Sequence, residues 1–343
     1  MTSFASFVDT AVQRIEDQQL ITGELLSLEF DGARWKTRPY PLWSAIAHDA
    51  LCSLDSGSTA FNSGTLNLLP REESRALCAR VAAVRWRLRT YLAWEEEAGG
   101  AWKRCGRHSA SPEDAATTAC AATALLPVHP GRFAQADRWR ESAVRRFIAA
   151  PQNDRVARGL ALRFLAQSGA STRGLRECVI EDCENCEELG ADLPWFAWGT
   201  ARAWRFGFLP GGAAVARTLL LGLEAMHRRD PSFGGIAPLA FALSALLNLH
   251  ECAPPPGITD EARHESEHKS GHRSEHRSEP QSPSASARLA LVEELLDATV
   301  AALESPLAPD ACIHGDSASP AAVLALLLAN TALACIATGR YPR

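Results

Sequence analysis

No uncharged apolar run in the chain comfortably reaches the ~20 residues needed to cross a bilayer. The nearest, Ala318 to Thr338, is rich in alanine and contains Asn330 and Thr331, so it reads as a buried helix. A basic leader is missing too: Met1 to Leu20 carries acidic side chains and reads as an amphipathic helix, not a secretory signal. The 10 cysteines are therefore expected to be reduced thiols in the cytoplasm rather than a disulfide framework. Basic residues are scattered, without an aromatic-studded basic run. The formal charge is -5 and the pI near 6.1, so a broad nucleic-acid surface is not expected. Strand-like alternation is nearly absent.

What is present is helical. With 46% hydrophobic and 22% charged residues, the chain sits among ordinary globular proteins, and its 343 residues are enough to bury a large core. Pro, Gly and Ser punctuation divides it into about twelve segments of helical length. These are Thr2–Leu20, Pro41–Leu54, Pro70–Glu97, Pro112–Leu126, Phe133–Ala149, Asn153–Gln167, Thr172–Leu189, Pro194–Phe206, Gly212–Arg229, Ile236–Leu249, Ala285–Leu303 and Ser319–Thr338.

The odd-numbered segments carry many charges, whereas the tenth and twelfth carry none in their apolar stretches. The second, fourth and eighth carry few. A helix apolar all round must be buried on all sides, and a one-faced helix belongs outside. Alternation of the two kinds predicts an all-α single domain, an (α/α)6 toroid whose double wall holds about twelve helices. The sixth segment breaks the rule with Arg155, Arg158 and Arg163. Gly-containing turns at Glu97–Trp102, Asp230–Gly235 and Gly315–Pro320 each deliver a Ser or Pro near the start of a buried helix, a weak internal repeat. Residues 251–286, with Pro254-Pro255-Pro256 and a His, Ser, Glu and Arg tract including His264, His268, His272 and His276, read as a disordered insert.

The run Glu97-Ala-Gly-Gly-Ala-Trp102, followed by Ser111-Pro-Glu-Asp-Ala-Ala-Thr-Thr-Ala119, resembles the repeat of the squalene-hopene cyclase and protein-prenyltransferase superfamily. Asp230-Pro-Ser-Phe233 and Trp195-Phe-Ala-Trp-Gly-Thr-Ala-Arg-Ala203 are similar to other parts of such toroids. The resemblance implies an α/α ring that handles an isoprenoid. In the cyclases of that superfamily the middle Asp of an Asp-X-Asp-Asp-Thr-Ala motif protonates the substrate. Laid on this chain, Asp114-Ala-Ala-Thr-Thr-Ala119 keeps the first Asp and the final Thr-Ala but has Ala116 in the middle position, where a methyl group cannot act as an acid. The Asp-X-Cys zinc segment of the prenyltransferases has no copy here. Cys312-Ile-His-Gly315 is a loose echo of the zinc ligands of lanthionine cyclases, with one residue inserted.

Glu113 and Asp114 are the candidate catalytic acids, since a carboxylate pair can split into one protonated and one charged member. In a first helical turn they would equally complement the helix dipole. His48, next to Asp49 in an apolar helix, is a candidate proton acceptor or a hydrogen-bonded core histidine. Arg202 could hold a diphosphate or carboxylate, or pair with an inner acid, and Asp154 invites the same two readings. Trp43, Trp195 and Trp198, with Phe241, would line a cavity for a prenyl chain or cation, or simply pack the core. Cys178, Cys183 and Cys186 form Cys-X4-Cys-X2-Cys, but Asp182, Glu184 and Glu187 oppose thiolate formation, so no metal ligand is assigned. No cofactor is fixed; Mg2+ or Zn2+ would fit the resemblance.

Two functions follow as expectations. One is a terpene-cyclase-like toroid that acts on or binds a hydrophobic small molecule or lipid in a central cavity. The other is a non-catalytic toroid that binds a protein, peptide or lipid. An open lumen with Asp114 inside favours the first, and a lumen filled by side chains favours the second.

Overall fold

The computed structural model describes residues 4–54, 71–97, 99–126, 146–147, 154–205, 212–252, 290–295, 297–298, 313–314 and 317–338. It is mostly helical. The helices are α1 (Phe4–Asp17), α2 (Pro41–Cys52), α3 (Arg71–Trp94), α4 (Ala115–Leu125), α5 (Arg155–Ser168), α6 (Arg173–Glu184), α7 (Leu193–Arg205), α8 (Gly212–Arg229), α9 (Ile236–Cys252) and α10 (Pro320–Thr338). A 3-10 turn, Cys186–Asp192, leads into α7. The segments expected at Phe133–Ala149 and Ala285–Leu303 lie largely outside the described residues, as does most of the insert after Cys252.

Local chemistry explains the helix ends. Pro41 opens α2 in the first turn, where no amide donor is needed. Asp114 caps α4, accepting from the Thr117 amide at 2.7 Å, and Asp154 caps α5, accepting from the Val156 amide at 2.9 Å. Gly169 ends α5 at φ 70°, and the Ala170 amide returns to the Leu165 carbonyl at 3.0 Å, a left-handed cap that favours glycine.

The helices pack in a circuit. Helix α2 lies on α4, α4 on α5, α5 on α7, α7 on α9, α9 on α10, and α10 on α2 again. These are the even-numbered segments of the sequence, and their side chains are almost all buried. The other helices flank them: α1 touches α10 and α3, α3 touches α2 and α4, α6 touches α5, and α8 touches α6, α7 and α9. Two inner helices approach unusually closely where a Cβ on Gly199 would stand 3.1 Å from the Gly159 carbonyl carbon. Burial of this kind stabilises by roughly 25 cal/mol per Å2 of apolar surface and is the main force holding the helices together.

Arg155 and Arg158, which broke the pattern in the sixth segment, turn outward to the neighbouring helix. The Arg158 Nε donates to Asp182 on α6 at 2.8 Å, and Arg155 reaches Glu188 at 2.6 Å. Only Arg163 of the three points into the core.

A small sheet was not expected from the sequence. Strands β1 (Leu28–Phe30), β2 (Trp35–Thr37), β3 (Ile313–His314) and β4 (Ser317–Ala318) pair antiparallel in the order β2-β1-β4-β3. Leu28 lies opposite Ala318, and the Ser319 hydroxyl donates to the Leu26 carbonyl at 2.8 Å. The segment before α2 is thereby joined to the segment before α10. Among the described residues, no helix is long and apolar enough to cross a membrane.

Candidate functional site

The densest concentration of buried polar chemistry lies toward the C-terminal ends of α2, α5 and α7. Asp49 on α2 receives both Arg163 from α5 and Arg202 from α7. One Arg202 nitrogen straddles the carboxylate at 3.0 and 2.9 Å, and another donates to the Ser53 hydroxyl at 3.2 Å. The Arg163 guanidinium carbon also lies 4.9 Å from the Trp198 ring centre, a cation–π contact. Burial pushes the Asp49 carboxyl up, but Arg163 and Arg202 outweigh it and hold it below its ordinary value.

His48 is fully buried beside this cluster. Its Nδ1 lies 3.7 Å from the Cys52 sulfur, and its Nε2 has no hydrogen-bond partner among the described residues. Burial, helped by Arg85 and Arg89 on α3, pushes its pKa down to about 3. An imidazole held so strongly neutral is a poor base near neutral pH. Cys120 on α4 belongs to the same neighbourhood: burial pushes its thiol up to about 12, with Arg163 opposing and Asp49 and Asp114 adding.

A second cluster is aromatic. Trp43 and Trp195 meet edge-on at 6.2 Å between ring centres, while Phe241 lies 4.6 Å from Trp195 and 5.1 Å from Trp198. Trp43 and Trp198 are 0% exposed and Trp195 2%, so these rings are in contact with protein on every side.

Helices α2 and α7 are not neighbours in the packing circuit, yet they meet twice, through Trp43 and Trp195 and through Asp49 and Arg202. The contacts are six residues apart on α2 and seven on α7, so the helices run in the same direction and the two levels lie roughly 9–11 Å apart.

The expected acids are engaged at helix starts or in ion pairs, and among the described residues Asp114 acts on the cluster only through its charge on Cys120. Asp114 accepts from both the backbone amide and the hydroxyl of Thr117, the latter at 2.5 Å, as a helix cap does. The Glu113 side chain is 44% exposed and ion-paired with Arg146. Asp154 likewise spends its oxygen on α5 amides. The structure therefore brings together Arg202, the residue next to His48, and Trp198, holds Asp114 and Asp154 as helix caps, and leaves Glu113 in a part-exposed ion pair. Arg163 and Cys120 were not singled out as site residues; for Arg163 the signal was its charge in an otherwise buried segment.

Cys183 and Cys186 are both buried, and burial, with neighbouring acids adding, pushes both thiols up. Among the described residues no group of three or more His, Cys, Asp or Glu side chains could hold a metal ion. The His-rich tract and Cys312 lie outside the described residues.

At the level of class, this is a mostly helical protein with a buried ion cluster. No family model, no curated protein and no solved structure matches the chain.

Proposed function

We propose that the chain is a non-catalytic α/α toroid, braced through its centre, that works as a binding module for a protein, peptide or lipid. The observation that carries this reading is the pair of contacts between opposite helices of the circuit, Trp43 with Trp195 and Asp49 with Arg202. Side chains that meet across a lumen occupy the volume a prenyl chain would need. The capping role of Asp114 and the exposure of Glu113 support it further, because protonating an alkene needs an acid held in an apolar cavity.

An isoprenoid-binding toroid is the second reading. It is favoured by buried inner-helix atoms without partners among the described residues, the Trp198 Nε1, Thr200 Oγ1, Asn248 Oδ1 and Thr331 Oγ1. Such atoms call for a water or ligand. A product assay separates the first reading from a catalytic form of the second. Folded protein incubated with farnesyl diphosphate, geranylgeranyl diphosphate or squalene, with Mg2+ or Zn2+, is expected to yield no new compound by mass spectrometry. A cyclised or prenylated product that disappears in Asp114→Asn would overturn the non-catalytic reading.

A further inference from the structure

Among the described residues four large hydrophobic side chains are exposed, and three of them, Ile21, Trp86 and Trp94, lie on or beside α3. Trp86 is 68% and Trp94 52% exposed, and Ile21 is completely so. At 100° per residue, Trp86 and Trp94 fall within a quarter turn of each other, and exposed Arg75 lies nearly in line with Trp86 three turns earlier. Ile21 belongs to the same face because its turn is pressed onto the helix. Gly23, at φ 94°, sits where a Cβ would stand 2.5 Å from the Arg87 carbonyl oxygen, so only glycine lets the turn come this close. At the other end, Trp94 tilts against His108 at 5.4 Å, and an Arg107 nitrogen donates to the Trp94 carbonyl at 3.2 Å.

Cations predominate among its exposed side chains. Arg75 and Arg87 are exposed and make no ion pair among the described residues, while exposed Arg107 sits beside the buried Glu95 carboxylate and partly offsets it. We propose that the outward face of α3, with the Ile21 turn and the Arg107–His108 loop, docks peripherally on an anionic phospholipid surface. Tryptophan favours the headgroup level, where its apolar body and its N–H are both satisfied, and arginine is drawn to anionic headgroups.

The shape and charge of the face argue against other occupants. These side chains stand out from an outer helix, whereas a bound peptide helix or strand needs a groove or a sheet edge. A second copy would set an equally basic face against this one. Single-stranded nucleic acid stacks successive bases, but Trp86 and Trp94 are about 12 Å apart along the helix axis. The overall charge of -5 opposes any anionic partner at long range, so docking depends on this face being turned to the lipid.

The inference names a partner for the binding reading above and rests on it, yet it is tested apart from it. A cyclised product would sink that reading and leave vesicle binding untouched. The experiment is co-sedimentation of the full chain with vesicles of phosphatidylcholine alone and with about 30 mol % phosphatidylglycerol, paired with quenching of tryptophan emission by brominated lipid. Binding is expected only to the anionic vesicles and should weaken as salt rises. Arg87→Glu should weaken it by at least about fivefold, the effect of one cation near such a surface, and Trp86→Ala/Trp94→Ala should weaken it by tenfold or more. Both variants alter exposed side chains, and an unchanged circular-dichroism melt would establish that they fold. Absence of binding to anionic vesicles at low salt would overturn the proposal. So would undiminished binding by the folded double tryptophan variant. A dimer by light scattering that the double variant abolishes, with no vesicle binding, would reassign the face to a second copy.

Discussion

Gly222 on α8 lies so close to Cys186 that a Cβ on the glycine would stand 2.9 Å from the cysteine sulfur. The sulfur is held in place, buried and 3.8 Å from the Thr218 carbonyl. Gly222→Ala should therefore destabilise the fold by about 1–3 kcal/mol through overpacking, despite the better helix propensity of alanine. Adding Cys186→Ala should recover much of that loss. Gly174, with open space around its Cα, is the control: Gly174→Ala should stabilise by up to about 1 kcal/mol. Urea unfolding of the four proteins measures each term, and a Gly222→Ala variant as stable as the parent would refute the contact.

Asp49 is the carboxylate shared by two buried guanidiniums, so removing it takes away the ion-pair partner that both have in common. Asp49→Ala is expected to cost about 3–5 kcal/mol. Arg202→Met should cost less, because the carboxylate keeps Arg163. Replacing all three by apolar residues should restore most of the stability, since the charges then carry no desolvation penalty. Equal losses in the single and triple variants, measured by denaturant melts, would contradict this.

His48 sets a pH dependence. Its pKa is depressed to about 3 in the folded protein, against about 6.5 when unfolded. The unfolded chain thus takes up a proton that the folded one refuses. The His48 contribution is complete above about pH 6.5 and falls by about 1.4 kcal/mol per unit as pH drops toward the folded value. Asp49 is depressed as well, so its contribution is present above about pH 4 and is lost only as pH falls through its lower folded value. His48→Gln should flatten the profile between about pH 6.5 and 4 and leave the steeper acid loss in place. Thermal melts across that range would decide it.

Asp114 acts as a cap, which predicts a specific pair of outcomes. Asp114→Ala should cost about 0.5–2 kcal/mol, and Asp114→Asn only a fraction of that, because asparagine accepts the same amide bond. Equal destabilisation by both would mean that the charge, not the cap, matters at this position.

The alternation of charged and uncharged segments carried most of the architecture. Asn248, Asn330 and Thr331 are among the few polar residues buried in otherwise mostly apolar helices, so period and burial agree, and α9 and α10 fall within three residues of their expected bounds. The sheet was missed for a physical reason. Strands of two or three residues are too short to show alternation, and β1 finds β4 only through tertiary placement. At the site, Arg202 was expected either to bind an anion or to pair with an inner acid, and the structure shows the pairing. Its partner is Asp49, not Asp114, which no local pattern could specify because 153 positions separate them. Arg85-Trp-Arg-Leu-Arg89 read only as part of a charged outer helix; which of these side chains face outward depends on what α3 packs against.

The junction between Leu26 and Ser319 has a consequence for synthesis. These residues are 293 positions apart. At about 5–20 residues per second, a ribosome delivers the second roughly 15–60 s after the first. Through that interval α2 is made and its flank that belongs to α10 is bare, an apolar surface with nothing to cover it. Closure then carries the entropy of bringing together such distant parts, which slows folding. The contact that closes the circuit is thus available only once α10 has been made.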